Sequence, residues 1–205
     1  LGDVPILQEF ATNSPSIYGH SNAALGAGVG AVDYRTPSVL QSFSSAGPTP
    51  ILFDTAGNRL PVADIRQQPR FVAPDNVDTT FLGSDVDRNG FPNFRGTSAA
   101  APNTAAVAAL MLQVAPGTNP LELYTALGRG AVDIGVPGFD SDSGFGLIQA
   151  DRAVGILRLF DPNFYLAMYP DVAQAVTRGA FRSGLQHFLE FGQFEGRNPS
   201  SRFSN

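Results

Sequence analysis

The chain has 205 residues, a net charge of −5 and an apolar fraction of 43%, enough for one domain with a real core and a small appendage. The acidic balance excludes nucleic acid as a partner, since a polyanion needs a basic face. With no cysteine, disulfides and thiolate metal sites are excluded as well, and no apolar run is long enough to span a bilayer.

Residues 1–25 offer a short apolar run at 4–10, which Pro5 confines to the start or edge of a strand, and then a turn-rich stretch. The chain opens on Leu1 with no basic stretch ahead of an apolar segment, and reads as a soluble piece of something longer. Residues 26–33 are small and apolar, as suits a buried strand packed against a helix. Gly26, Gly28 and Gly30 lack the spacing of a dinucleotide fingerprint, and no helix pattern follows them. Residues 38–80 are rich in Pro, Gly and Asp, with short apolar pieces at 51–53 and 71–73, and read as loop and edge strand around a cleft. Asp85, Asp87 and Asn89, followed by Gly90, alternate carboxylate and amide oxygens in a way that suits a hard cation such as calcium. An EF-hand would need glutamate where Gly96 stands. The competing reading is a polar turn in which Asp and Asn side chains bond their own backbone.

Residues 104–114 carry no charge, and a helix apolar on every side is predicted to lie enclosed by other elements. Pro102 is expected in its first turn. Thr97 and Ser98 bring hydroxyls to its positive end, where Ser98 has two possible roles: a cap, or a nucleophile beside amide N–H groups that hold a developing oxyanion. Beyond Pro116-Gly117, Asn119-Pro120 starts a short amphipathic helix over 121–127. A turn-rich connection with Asp133, Asp140 and Asp142 follows, and 148–157 forms a last helix. At about Arg158 the composition changes. Asp161-Pro162 starts one helix, Pro170 restarts another, and Gly192 ends a third. Phe160, Phe164, Tyr165, Phe181, Phe188 and Phe191 make 158–205 dense in aromatics, more than so small a piece easily buries alone, which favours docking on its neighbour.

The run Gly96-Thr97-Ser98-Ala99-Ala100-Ala101-Pro102 resembles the Gly-Thr-Ser-x-Ala-x-Pro signature of subtilisin-like serine peptidases. Tyr18-Gly19-His20, Val29-Gly30-Ala31-Val32-Asp33, Phe43-Ser44-Ser45-Ala46-Gly47-Pro48 and the closing Ser143-Gly144-Phe145-Gly146-Leu147-Ile148-Gln149-Ala150 resemble further segments of the same catalytic domain. Sedolisins also use a Gly-Thr-Ser serine, but the closing sequence is more similar to subtilases. The resemblance covers about residues 1–157. It implies an α/β fold, a subtilisin-like parallel sheet flanked by helices and present as its C-terminal portion, with a small all-α module at 158–205. It also implies a serine endopeptidase in which Ser98 attacks a polypeptide substrate, with no required cofactor, in a secreted or cell-surface protein; calcium at Asp85, Asp87 and Asn89 would be an addition.

Parts of the family pattern are missing. The catalytic histidine of subtilases stands in a His-Gly-Thr context and the aspartate in an Asp-Thr/Ser-Gly context, and neither occurs here. His20 is followed by Ser21-Asn22 and matches a later turn, while Asn13 lacks the Ala-Gly-Asn setting of the family's oxyanion asparagine. Asp75 stands where the family's Ala-Pro-Gly turn has glycine. The missing groups are therefore expected upstream, and the chain alone is expected to be inactive. The alternative is a surface or binding protein on a subtilase scaffold that has lost catalysis. Residues 158–205 resemble a short helical repeat at the ends of some bacterial secreted proteins, which leaves a glycan or protein partner and a packing appendage both open. His187 reads there as a core histidine rather than a ligand.

Overall fold

The computed structural model describes residues 14–203, so the predicted edge strand at 4–10 and Asn13 lie outside the described residues. In chain order the strands are β1 (Val29–Asp33), β2 (Thr49–Phe53), β3 (Arg59–Arg66), β4 (Phe71–Asp75), β5 (Val77–Asp78) and β6 (Asn93–Phe94). The helices follow as α1 (Thr97–Val114), α2 (Pro120–Gly130), α3 (Ala150–Leu159), α4 (Pro162–Met168), α5 (Pro170–Thr177) and α6 (Gly184–His187).

The centre is a parallel pair, β1 beside β4, with Val29 opposite Phe71 and Asp33 opposite Asp75. Residues 146–148 extend it along the far side of β4, where the Val72 N–H donates to the Gly146 carbonyl at 3.0 Å and the Ile148 N–H to the Val72 carbonyl at 3.1 Å. Alternation sends Val29, Ala31, Phe71 and Ala73 to the helical side and Val32 and Val72 to the other, where Leu40, Ile134 and Leu147 cover them. Both faces are thus apolar, as parallel strands require.

Helix α1 lies on β1 and β4 through a stripe at helical spacing, Ala100, Thr104, Val107 and Met111. Small residues in that stripe let the backbones approach closely. The expected enclosure on every side does not hold. Leu110, Leu112 and Val114 are 49%, 40% and 40% exposed, because the opposite face of α1 has no described element over it. Nor does Pro102 sit in the first turn. It is the sixth helical residue, and its missing N–H leaves the Ser98 carbonyl without its helical donor.

Within the stretch read as loop and edge strand lies a hairpin. Strands β2 and β3 pair antiparallel with an irregularity between Ile51 and Phe53. Asp54 closes the turn by accepting from the N–H groups of Ala56 (2.9 Å) and Asn58 (2.8 Å).

The C-terminal helices surround Tyr165, which is fully buried against the rings of Phe160, Tyr169 and Phe188. Asp161 caps α4 by accepting from Asn163 N–H and Phe164 N–H at 2.9 and 3.0 Å. After α6 the chain widens into a π-helical turn, Phe188–Gly192, and at Gly192 any side chain would strike the Tyr165 hydroxyl. This module packs on α2: Leu185, Phe188 and Leu189 join Leu123, Ala126, Leu127 and Leu157 in one apolar cluster. Polar contacts cross the same junction. The Ser183 hydroxyl meets the Glu122 carboxylate, whose other oxygen accepts from the Asn119 N–H in the capping box that starts α2, and Arg129 lies 4.6 Å over the Phe194 ring.

His187 sits where the sequence reading put it, in the module core, with its Nδ1 3.0 Å from the Tyr165 hydroxyl. Burial, reinforced by the charge of Arg197, pushes its pKa below the ordinary 6.5. The unfolded chain therefore binds this proton more readily, so the stabilisation is complete above pH 6.5 and is lost as pH falls through the lower folded value. Melting temperature should decline as the pH is lowered below about 6.5. His187→Gln, which keeps an acceptor for Tyr165, should flatten that decline; an unchanged slope would assign the acid sensitivity elsewhere.

Candidate active site

The start of α1 brings together what the motif supplies. Gly96 is the N-cap at φ 114°, ψ 172°, a backbone conformation that glycine adopts freely and other residues do not. No side chain caps the helix, so the capping roles open to Thr97 and Ser98 are unused. The Gly96 carbonyl instead accepts from the N–H groups of Ala99 (2.9 Å) and Ala100 (3.3 Å). Two contacts pin the N-terminal half of α1 and its cap to the end of β4. The Asp75 carboxylate accepts from the Gly96 N–H at 3.0 Å, and the Asn103 amide donates to the Pro74 carbonyl at 2.9 Å.

Ser98 is the second helical residue and is exposed. Its hydroxyl bonds no described residue, and the N–H groups of Thr97 and Ser98 have no acceptor among the described residues. A free hydroxyl beside free N–H donors at a helix's positive end can attack a carbonyl and hold the resulting oxyanion. Beside it lies a cleft of about 310 Å³, lined by Ile17, Tyr18, Val29, Ser45, Pro69 and Thr97.

Neither histidine is hydrogen-bonded to this serine in the described structure. His20 is exposed in the turn Gly19–Asn22, where its carbonyl accepts from the Ala23 N–H. His187 is occupied by Tyr165.

The side chains of the acidic loop bond its own backbone and neighbouring residues, except Asp87 Oδ1, which is buried without a partner. Asp85 accepts from the N–H groups of Asn89 and Gly90, both at 3.1 Å. Asp87 accepts from the Tyr34 hydroxyl at 3.2 Å and faces Arg35 at 3.6 Å, while the Asn89 amide donates to Asp78 at 2.9 Å. Arg35 also grips Asp33 through two side-chain bonds, at 2.9 and 2.7 Å, which hold the Asp33 carboxyl far below the usual carboxylate range. Among the described residues no group of three or more His, Cys, Asp or Glu side chains could hold a metal ion. These bonds are those of a polar turn, and a calcium ion at Asp85, Asp87 and Asn89 would have to displace them. Added calcium and added chelator should each leave the melting temperature unchanged. A calcium-dependent rise that follows RT ln(1 + [L]/Kd) would establish the cation site instead.

The model of the subtilase family matches residues 11–146. The chain belongs to the subtilase family. Fervidolysin of Fervidobacterium pennivorans is 38% identical over 61 residues, which is 30% of this chain and 9% of that protein. The crystal structure of fervidolysin, described as a keratinolytic enzyme related to subtilisin, matches with a TM-score of 0.50 at 25% identity and covers 71% of this chain. MycP1 of Mycobacterium smegmatis matches with a TM-score of 0.46 at 20% identity, over 64% of this chain and 30% of that one. The chain spans 22% of the fervidolysin structure, so it corresponds to a minor part of that relative. Its parallel strands and packed helices are part of a subtilisin-like α/β fold.

Two features of the structure, one of them at the site, escaped the sequence reading. The hairpin strand β3 carries Pro61 and Asp64 and shows no clean alternation, so nothing announced it. The burial of Asp75 was also hidden, since an aspartate after Ala-Pro reads as a turn residue.

Proposed function

We propose that this chain is the serine-bearing part of a secreted or cell-surface subtilase endopeptidase, with Ser98 as its nucleophile. The observation that supports this most is the position of Ser98: exposed, set at the positive end of α1, with a hydroxyl and an N–H that bond no described residue. In the intact polypeptide a histidine takes the hydroxyl proton as Ser98 Oγ attacks the peptide carbonyl. An aspartate orients that histidine, and the tetrahedral oxyanion is held by the Ser98 N–H and a further donor. The acyl-enzyme on Ser98 is then hydrolysed by water, and no cofactor takes part. The cleft beside Thr97 receives a substrate side chain. The histidine and aspartate come from outside the described residues, and this chain alone is inactive.

The second reading is a binding protein on the same scaffold, and the lack of any described base at Ser98 favours it. For the C-terminal module, the junction with α2 supports a packing role; a glycan or protein partner is the other reading. No helix among the described residues is long and apolar enough to cross a membrane. A fluorophosphonate probe applied to the parent polypeptide, followed by peptide mapping, tests the peptidase reading. An adduct on Ser98 is expected. A folded parent that takes no adduct would leave the binding protein.

A further inference from the structure

Asp75 is the most expensive side chain at this site. It is 0% exposed, and burying a carboxyl group is costly unless hydrogen bonds replace the lost water. Only part of that replacement is visible. Oδ2 accepts from the Gly96 N–H at 3.0 Å, while Oδ1 is buried without a partner. The carboxylate also lies beside the N-terminus of α1, whose positive end favours a negative charge.

We infer that Asp75 is a positioning residue for Ser98, acting through Gly96. The chain of contacts is short. Asp75 is the last residue of β4, held by register opposite Asp33 and by the Tyr34 N–H, which donates to its carbonyl at 3.3 Å. Its side chain fixes the Gly96 N–H, while the Gly96 carbonyl is fixed by Ala99 and Ala100. Gly96 is therefore clamped on both sides in a conformation that has no intrinsic preference over its alternatives. Two residues later, the direction of Ser98 Oγ and of its N–H follows from that clamp. Without it the parallel strands and the body of α1 are still packed, but the first turn can rotate.

A negative charge on this carboxyl would oppose, not support, the charge that develops on the carbonyl oxygen. What the site takes from Asp75 is thus an acceptor in a fixed place rather than its charge. That distinguishes the inference from a simple helix-end charge effect. In that case Asp75→Asn would be as harmful as Asp75→Ala.

The inference rests on the peptidase reading, and the experiment separates the two. The parent polypeptide and its Asp75→Ala and Asp75→Asn variants are compared for fluorophosphonate labelling at Ser98 and for turnover of a peptide p-nitroanilide. Asp75→Ala should lower kcat about 10- to 100-fold with KM nearly unchanged, as expected for a misplaced reacting group. Asp75→Asn, whose amide oxygen can still accept from the Gly96 N–H, should keep most of the wild-type kcat. Equal losses in both variants, or a folded Asp75→Ala variant with wild-type kcat, would overturn the inference and leave the peptidase reading standing. No labelling of the wild-type parent would overturn both. Should Asp75→Ala fail to fold, hydrogen exchange of the Gly96 amide in the wild type decides. Strong protection is expected, and exchange at the rate of a free amide would sink the clamp.

Discussion

Ser98→Ala in the parent polypeptide should reduce kcat by about six orders of magnitude while leaving the melting temperature within a degree or two; the magnitude is that measured for loss of the nucleophile in subtilisin, not one derived for this chain. The structure sharpens the expectation about stability. A capping serine would cost about 1 kcal/mol when truncated to alanine, but Ser98 caps nothing, and its hydroxyl bonds no described residue. Alanine is also the better helix former at an exposed position. Stability should therefore be unchanged or slightly raised, in contrast with the loss of activity. A parent whose turnover survives Ser98→Ala would remove the nucleophile assignment. One in which Ser98→Ala lowers stability and nothing else would make the serine a structural residue of a binding protein.

The motif around Ser98 was legible because its chemistry is local. Gly96 must supply an unusual φ, and Ala100 opens the stripe on which α1 meets the sheet. The parallel strand at Val29–Asp33 was readable for a similar reason: a run of small and β-branched residues leaves few other places to go. Properties set by distant partners were not readable. The apolar composition of α1 implied burial on every side, yet burial depends on what covers a helix, and Leu110 is exposed where no described element does so. Asp75 looked like a turn residue, and only the approach of Gly96, 21 positions away, shows its carboxylate to be fully buried. The acidic loop suits calcium by its spacing, but spacing does not show what else bonds those side chains. The bonds that occupy it come from Tyr34 and Arg35 as well as from its own backbone, and that pairing is not a sequence pattern.

Deleting residues 158–205 from the present chain should lower its stability by several kcal/mol or abolish cooperative unfolding. Leu127 and Leu157 are 0% and 3% exposed, and both belong to the apolar cluster that also holds Tyr165, Leu185, Phe188 and Leu189. Returning even one large apolar side chain to water forfeits about 1.5–3 kcal/mol, against a total stability of about 5–15 kcal/mol for a domain. Glu122 adds to the loss. It is 6% exposed, and without Ser183 one oxygen of a largely buried carboxylate loses its partner at the start of α2. Urea unfolding of the truncated and full-length chains measures the difference, and limited proteolysis gives an independent check. A docked module should resist cleavage between residues 157 and 162. Release of a folded helical fragment, with a truncated chain that unfolds at the same midpoint, would show instead that 158–205 is a separate unit and that its contacts with α2 contribute nothing to the stability of either part.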